Sequence, residues 1–540
     1  MENKNKWWWP SAASNNKERV SEKKLPQQFF NRTSPSNLVF VSGFDGEKDL
    51  GGIGPPVDYF LDYQRLRSRG WDFYLTNEVV QIIVNRMTTW TIGCGLKLES
   101  EPDEVVLATE NIKIKPQEFS ERVEARFSIY KESLESSFNG MKCLSQIEST
   151  CYKNAKNGGD VLVVLRVVKG VVKTQLIDGM HVVSPMYGND LNPNVLANGN
   201  RIVNGVEMDD SGEHIAYHVR NADLKYQRIM AKSKSTGMRL AYLVGGLEYR
   251  LDDSRCAPAL AGVFNTLAKM DRYKEATLAT AESTADTSLQ IVHDAQSTGE
   301  NPLKDRILQA KDALANDGTI PVDAYNKELA NKVAIQTEAS VFNLTQGSEI
   351  KPIEKSKGEL YFKDFWSVFF DLVCAAMGIP PNVAASKYDT SFSSARAAIK
   401  DWEHTLIVER YNFALSFLQP IYELWLHLEI MQSKIDAVGY FQAFIDDNFM
   451  VLSSFRKARW IGDNVPHIDP LKEVTAERLK LGTTGAAIPL TTAERATAVT
   501  NGGKFSQNMK QYAKELEESK TLGIEDESLE PKEKEDKKED

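Results

Sequence analysis

Val161-Leu162-Val163-Val164-Leu165-Arg166-Val167-Val168-Lys169-Gly170-Val171-Val172-Lys173-Thr174-Gln175-Leu176-Ile177 sets two β-branched runs on either side of Lys169-Gly170. Glycine accepts the positive φ that a two-residue hairpin demands, so 161–168 and 171–177 read as paired antiparallel strands. Asn204-Gly205 repeats the signal, and Asp209-Asp210-Ser211-Gly212 makes a third turn before a strand at Ile215 to Val219. Residues 158–250 are therefore expected to form one compact antiparallel sheet.

Upstream, helical periodicity replaces alternation. Leu75, Val79, Ile82, Ile83, Met87 and Trp90 recur at helical spacing within 57–91; Gly93 and Gly95 break the pattern, and Leu96 and Leu98 point to a strand. A second helical stretch covers 117–156, with Phe127, Tyr130 and Leu134 followed after a break by Leu144 and Ile147. Residues 1–58 lack periodicity, carry Trp7, Trp8 and Trp9, and read as an extended arm that needs partner contacts to become ordered.

Downstream the chain changes character at Pro258, which suits a first helical turn. Leu260, Val263, Phe264, Leu267 and Met270 mark one face of a helix expected over 257–290, about 34 residues or ~50 Å. Ala276, Ala279, Ala281 and Ala285 line its second half and would let neighbouring helices approach closely. Residues 295–356 form a polar excursion punctuated by Gly299, Gly318, Pro321, Gly347 and Pro352, with a helix predicted at 302–316. Phe362, Phe365, Phe369, Val373 and Ala376 stripe the next helix, which Gly378, Pro380 and Pro381 end. Past the loop that follows, Trp402, Leu406, Phe413, Leu418, Ile421, Leu424 and Leu428 mark a long helix from near Ser393, with a kink expected at Pro420. Asp469-Pro470 opens a helix that Gly482 closes, Thr491 and Glu494 form a capping box for another, and the charged tail 525–540 reads as disordered.

Composition narrows the function. The chain has 540 residues, 42% hydrophobic and 26% charged, as in a folded, soluble protein of several domains. Its formal charge of -10 argues against a surface built to grip phosphates, so DNA contact should be weak or local. Cys94, Cys143, Cys151, Cys256 and Cys374 are scattered and show no C-x-x-C spacing, which points away from disulfides and zinc and toward a reducing compartment. Met1 to Pro10 has no secretory pattern, and Phe365 to Ile379, interrupted by Asp371, falls short of the roughly 20 residues that span a bilayer. No membrane role is expected, and the expected location is cytoplasm or a particle assembled there.

Catalytic motifs are missing. The fragment Gly502-Gly503-Lys504-Phe505 lacks the first glycine and the Mg-binding hydroxyl of a phosphate loop, and neither G-x-S-x-G nor H-E-x-x-H occurs. No catalytic residue, metal site or cofactor is assigned. His214 and His218 share one face of a strand, but without a third ligand nearby they are expected to pack or hydrogen-bond. Asp209 and Asp210 are turn formers. Phe362, Phe365, Trp366, Phe369 and Phe370 read as a packing seam and not a base-stacking platform, and Arg65, Arg67 and Arg69 as solvated charges.

Taken in order, four segments resemble the lambda-like phage portal family, from about Tyr63 to Ile524. They are Arg65 to Leu98 with its Gly93-Cys94-Gly95-Leu96 ending; Ile202-Val203-Asn204-Gly205-Val206-Glu207-Met208-Asp209 with Ala216-Tyr217-His218-Val219; Ala375-Ala376-Met377-Gly378-Ile379-Pro380 with Ser393-Ser394-Ala395-Arg396-Ala397-Ala398; and Trp460, Ile468-Asp469-Pro470-Leu471-Lys472-Glu473 and Gly482-Thr483-Thr484. Phe392 stands where the family usually has tyrosine, the loop before Ser393 departs from the usual sequence, and the Trp7 to Pro10 arm has no counterpart.

The resemblance implies an α+β portal fold with a β-rich wing (59–256), long stem helices (257–290 and 358–378), a small clip (291–357), a tunnel loop (379–392), a long kinked helix returning through the wing (393–468) and an α-helical crown (469–524). It implies a ring, typically of twelve subunits, at one capsid vertex of a virion assembled in host cytoplasm, with double-stranded DNA passing along its axis. Implied partners are the large terminase subunit, the head-tail connector, and the major capsid and scaffold proteins. Lys387, Tyr388 and Arg396 would make transient phosphate contacts from the tunnel loop. A nucleic-acid-processing enzyme of the packaging machinery and another virion structural component are the alternatives.

Overall fold

The computed structural model describes residues 63–185, 196, 199–221, 223–248, 253–286, 362–387, 392–463, 470–482, 489–501 and 503–522, with strands at 39–41, 59–61, 289–293 and 348–352. The architecture is α+β. Residues 1–267 and 370–540 form one unit and residues 268–369 a second.

In the first unit, strands Val39–Val41 (β1) and Tyr59–Leu61 (β2) pair antiparallel ahead of helices Tyr63–Thr76 (α1) and Glu78–Thr91 (α2). The single helical pattern expected over 57–91 is thus two helices. Asn77 separates them because its side-chain oxygen accepts from the Val79 and Val80 amides at 2.9 and 3.2 Å, a cap worth ~1 kcal/mol. Leu75, at the end of α1, is 72% exposed and not part of the core stripe. Lys97–Ser100 (β3), Glu104–Thr109 (α3), Pro116–Glu132 (α4) and Leu144–Gly158 (α5) follow, and α5 leads directly into the opening hairpin.

That hairpin is Asp160–Val168 (β4) and Val171–Asp178 (β5), with Lys169 and Gly170 at φ 51° and 79°. Val161 to Leu165 are all buried, as expected of an apolar run covered on both faces. Arg201–Val203 (β6), Val206–Met208 (β7), His214–Arg220 (β8), Tyr226–Met230 (β9) and Ala241–Gly245 (β10) complete the β-rich region. It is two sheets and not one: β10-β4-β5 and β6-β7-β8-β9. Leu162, Val164 and Ala241 from the first sheet pack with Val206, Tyr217 and Val219 from the second in one buried cluster. The two sheets therefore share a core that a single sheet could not enclose.

The helix expected over 257–290 is shorter at both ends. A 3-10 turn at Ala261–Val263 precedes Phe264–Asp286 (α6), and Leu289–His293 is a strand (β11) paired with Ser348–Pro352 (β12). Pairing with a segment some sixty residues away overrides helix propagation there. The helix predicted at 302–316 and the tail 525–540 lie outside the described residues. The second unit holds most of α6, the β11–β12 pair and the start of Phe362–Ala376 (α7). Tyr273 packs on Phe362 and Phe365 with centroids 5.6 and 4.2 Å apart, and Phe365 on Phe369 at 4.3 Å, so the aromatic stripe is a packing seam.

Back in the first unit come Pro381–Ala385 (α8), Phe392–Phe413 (α9), Gln419–Met431 (α10), Tyr440–Ile445 (α11), Phe449–Arg456 (α12) and Ala458–Ile461 (β13), the last paired with β3. Pro420 does disturb the long helix. Residues Ala414–Leu418 form a π-turn in which the Gln419 amide reaches back to the Ala414 carbonyl, relieving the clash between the proline ring and the preceding turn. Pro470–Lys480 (α13), Ala493–Asn501 (α14) and Phe505–Thr521 (α15) close the described chain. Gly482 ends α13 at φ 75° as expected. The cap of α14 sits one residue later than expected: Thr492 Oγ1, not Thr491, accepts from the Arg495 amide at 3.3 Å.

Candidate functional site

The segment joining α7 to α9, with the first turns of α9, carries the three residues singled out for DNA contact. α7 ends at Gly378 (φ 67°), whose amide donates to the Ala375 carbonyl at 3.1 Å while the Ile379 amide reaches Cys374 at 3.0 Å. Ile379, Val383 and Ala384 are buried. The expected loop 379–392 therefore contains a seated helical turn, α8, and α9 begins at Phe392. Ser386 stops α8 in the left-handed region at φ 54°, and the Lys387 amide closes the turn on the Asn382 carbonyl at 3.0 Å. Arg86 of α2 donates to the Ser386 hydroxyl, tying the turn to the helix beside it. Lys387 thus has a fixed backbone and an exposed side chain. Arg396 is half-buried in the second turn of α9, and Tyr388 lies outside the described residues.

α9 is itself pinned to α2. Trp402, 3% exposed, meets Trp90 edge-on at 5.2 Å. Arg410 donates to the Thr91 and Trp90 carbonyls at 3.0 and 2.7 Å and to the Asp463 carbonyl at 2.7 Å, placing a cation where the carbonyl end of α2 favours one.

Elsewhere in the first unit lie buried ionic clusters that sequence reasoning missed or read as something else. Arg67, expected to be solvated, is 3% exposed and donates to Asp160 Oδ1 at 2.5 Å and to the Gly158 carbonyl at 2.9 Å. Arg255 clasps the same carboxylate at 2.5 and 2.6 Å and donates to the carbonyls of Val182 and Asn204 at 2.9 Å and Gly179 at 2.8 Å. Burial alone would raise the Asp160 carboxyl; Arg255 and Arg67 together hold it below its ordinary value. One carboxylate thereby links α1, the end of α5, β4 and the β6–β7 turn. Its partners are 93 and 95 residues away in sequence, which is why charge alternation around Arg67 gave no hint of it.

The Asn-Gly-Val-Glu segment has a similar explanation. Glu207, fully buried, accepts from Arg228 at 2.6 and 2.8 Å, from Asn200 at 2.7 Å and from His218 Nε2 at 3.1 Å. The Arg228 hydrogen bonds come first among the causes that bring its pKa down to about 2. His214 meets the Tyr217 hydroxyl at 3.0 Å, so both histidines hydrogen-bond. Asp209 accepts from the Ser211 and Glu213 amides at 2.9 and 2.8 Å, as a turn former does. Glu148, also fully buried, pairs with Lys131 at 2.7 Å and accepts from the Leu96 amide at 2.9 Å, which fixes the Gly93-to-Leu96 step. Among the described residues no cluster of three or more His, Cys, Asp or Glu could hold a metal ion, and no helix is long and apolar enough to cross a membrane.

The family model for phage portal protein, lambda family, matches residues 54–408. Some two thirds of the chain is covered, which defines a portal protein. The chain belongs to the lambda family of phage portal proteins. No curated protein matches it. Among solved structures, a chain from the neck of an empty gene transfer agent (GTA) particle, computed with C6 symmetry, is 11% identical with a TM-score of 0.44, covering 81% of this chain and 93% of that one. A chain from the virion of the native GTA particle is 12% identical with a TM-score of 0.41 and the same coverage. An HK97 family phage portal protein from Corynebacterium diphtheriae is 10% identical with a TM-score of 0.27, covering 60% of this chain and 82% of that one.

Proposed function

We propose that the chain is one subunit of a closed ring, typically of twelve copies, at a capsid vertex, with double-stranded DNA passing along the ring axis during packaging and ejection. The family match over residues 54–408 carries this reading. In it, α6 and α7 belong to the stem, residues 291–357 to the clip, the two β-sheets to the wing and the helices of 469–524 to the crown. The large terminase subunit, the head-tail connector, and the major capsid and scaffold proteins are the partners, the host cytoplasm is where assembly occurs, and the chain performs no catalysis of its own.

Lys387, Tyr388 and Arg396 are assigned to transient phosphate contact. An ammonium on an anchored backbone but in bulk water contributes about 1 kcal/mol at 4 Å from a phosphate, close to thermal energy. A duplex can slide past contacts of that size, whereas a strongly basic surface would hold it, and the net charge of -10 fits the weaker regime.

Negative-stain electron microscopy and mass photometry of the purified full-length protein test the proposal. Rings with a central hole and a mass of about 730 kDa, twelve chains of 60.6 kDa, are expected. A monodisperse monomer at every salt and protein concentration refutes it, and Mg-dependent ATPase or nuclease activity would favour a packaging enzyme instead.

A further inference from the structure

Val438, Phe441, Ile445, Phe449 and Met450 place five large apolar side chains on the surface of one corner, each between 54% and 73% exposed. A lone exposed apolar residue is ordinary; a cluster of five marks an interaction surface. The corner is well held from behind. Tyr440 and Phe455 are fully buried under α11 and α12, the Asn448 amide donates to the Ala443 carbonyl at 2.8 Å, and Asn448 Oδ1 caps α12 at the Val451 amide. Phe441 and Ile445 lie four residues apart on one helical face, so they present a ridge that the protein's own core does not use. Asp446 and Asp447, both exposed, follow directly, while Asp436, ahead of the ridge, is already paired with Arg122 at 2.7 Å. The surface is therefore apolar with an acidic border and suits an aromatic, basic segment.

The chain carries such a segment in Lys4-Asn5-Lys6-Trp7-Trp8-Trp9-Pro10, within a first forty residues that hold seven Lys and Arg against three Glu. Both this segment and the corner lie outside the stretch 54–408 that the family model matches. Because β1 pairs with β2, the segment left to span the distance is the 28 residues from Ser11 to Leu38, which at roughly 3.3–3.6 Å each reach ~95 Å, several times the ~22 Å radius of gyration of a compact unit of this size. Tethering raises the segment's effective concentration on its own chain above that on a free copy.

We propose that Lys4–Pro10 docks on the α11–α12 corner of its own chain, with the tryptophans against Phe441, Ile445 and Phe449 and the lysines toward Asp446 and Asp447. Tryptophan buries the most apolar area per anchor, and opposite charges at the border fix its orientation.

Hydrogen–deuterium exchange on the full chain tests this. Replacing Trp7, Trp8 and Trp9 together with Ala should speed exchange of the 440–447 amides about tenfold. Reciprocally, Phe441→Asp with Phe449→Asp should speed tryptic cleavage after Lys4 and Lys6 about as much, without moving the melting temperature, since both side chains are exposed. Unchanged exchange in the triple-Ala variant overturns the docking. Carbodiimide cross-linking of a mixture of ordinary and 15N-labelled chains locates the contact: Lys4 or Lys6 joined to Asp446 or Asp447 within one label supports the proposal, and mixed-label pairs overturn the same-chain assignment.

Discussion

Asp160→Asn removes the carboxylate clasped by Arg67 and Arg255 and leaves two buried guanidinium groups facing a neutral amide. Breaking a buried ion pair from one side costs about 3–5 kcal/mol, because the remaining charge has lost its compensation in a poorly solvating interior. Here the loss falls near the lower end, ~3 kcal/mol. Arg255 keeps its bonds to the carbonyls of Val182, Asn204 and Gly179, and Arg67 keeps Gly158 and, at 3.6 Å, Asp178. The pH dependence follows from the depressed pKa of Asp160. A carboxyl lowered on folding stabilises the protein above its unfolded value, about 3.9, and that contribution is lost as pH falls through the folded value. The gap between wild type and Asp160→Asn should hold constant from pH 8 to about 5 and close below about 4. Urea denaturation followed by tryptophan fluorescence, with exchange of the β4 amides as a local readout, measures it. Replacing the triad by Arg67→Met, Asp160→Leu and Arg255→Met removes the charges together, which alone is often neutral. It also takes Arg255 from the Val182 and Asn204 carbonyls, each ~1 kcal/mol or more, while the Gly179 carbonyl keeps the Val182 amide at 3.1 Å, so this variant should remain at least ~2 kcal/mol less stable than wild type. An Asp160→Asn loss under ~1 kcal/mol, or full recovery in the triple variant, would refute the reasoning.

Gly205→Ala should lower stability by ~2 kcal/mol or more in thermal melts, since Gly205 sits at φ 83° and a Cβ there would lie 2.5 Å from the Val183 nitrogen. Acid titration of wild type should show a loss of stability between about pH 4.5 and 2 that Glu207→Gln lacks, because the folded pKa of Glu207 lies near 2 and its contribution disappears as pH falls through it. Lys387→Glu should leave the mass of the assembled particle unchanged while weakening its binding to short duplex DNA and reducing the salt slope; an unaltered slope would remove Lys387 from the channel.

Local chemistry was legible in the sequence. The Lys169-Gly170 and Asn204-Gly205 turns, the Gly378 stop and the Pro420 disturbance each depend on the backbone preference of one or two residues, and each stands where it was expected. What the sequence concealed depends on distant partners. Arg67 read as solvated because Asp160 and Arg255 are far along the chain; the wing divides into two sheets because β4 pairs with β10 across some eighty residues; and α6 stops at Asp286 because β11 finds β12. Of the three residues assigned to DNA contact, Arg396 belongs to the Ser393-to-Ala398 motif and Lys387 to the atypical loop before it, and nothing in either foretold that α8 would be seated on α2 through Arg86 and Ser386.

The π-turn at Ala414–Leu418 fits one more residue into a single turn of an otherwise continuous helical column, without the rotation that residue would add in an α-helix. Each α-helical residue advances the azimuth by about 100°, so the turn resets the angular phase of everything that follows. Upstream of it Phe413 meets Tyr152 at 5.4 Å, and downstream Trp425 meets Phe127 at 5.0 Å. One backbone column therefore serves two aromatic clusters at different azimuths. Removing one residue within 414–418 should restore regular winding and leave Trp425 facing Phe127, whereas adding one should swing it away by about 100°, so this segment tolerates loss of a residue far better than gain of one.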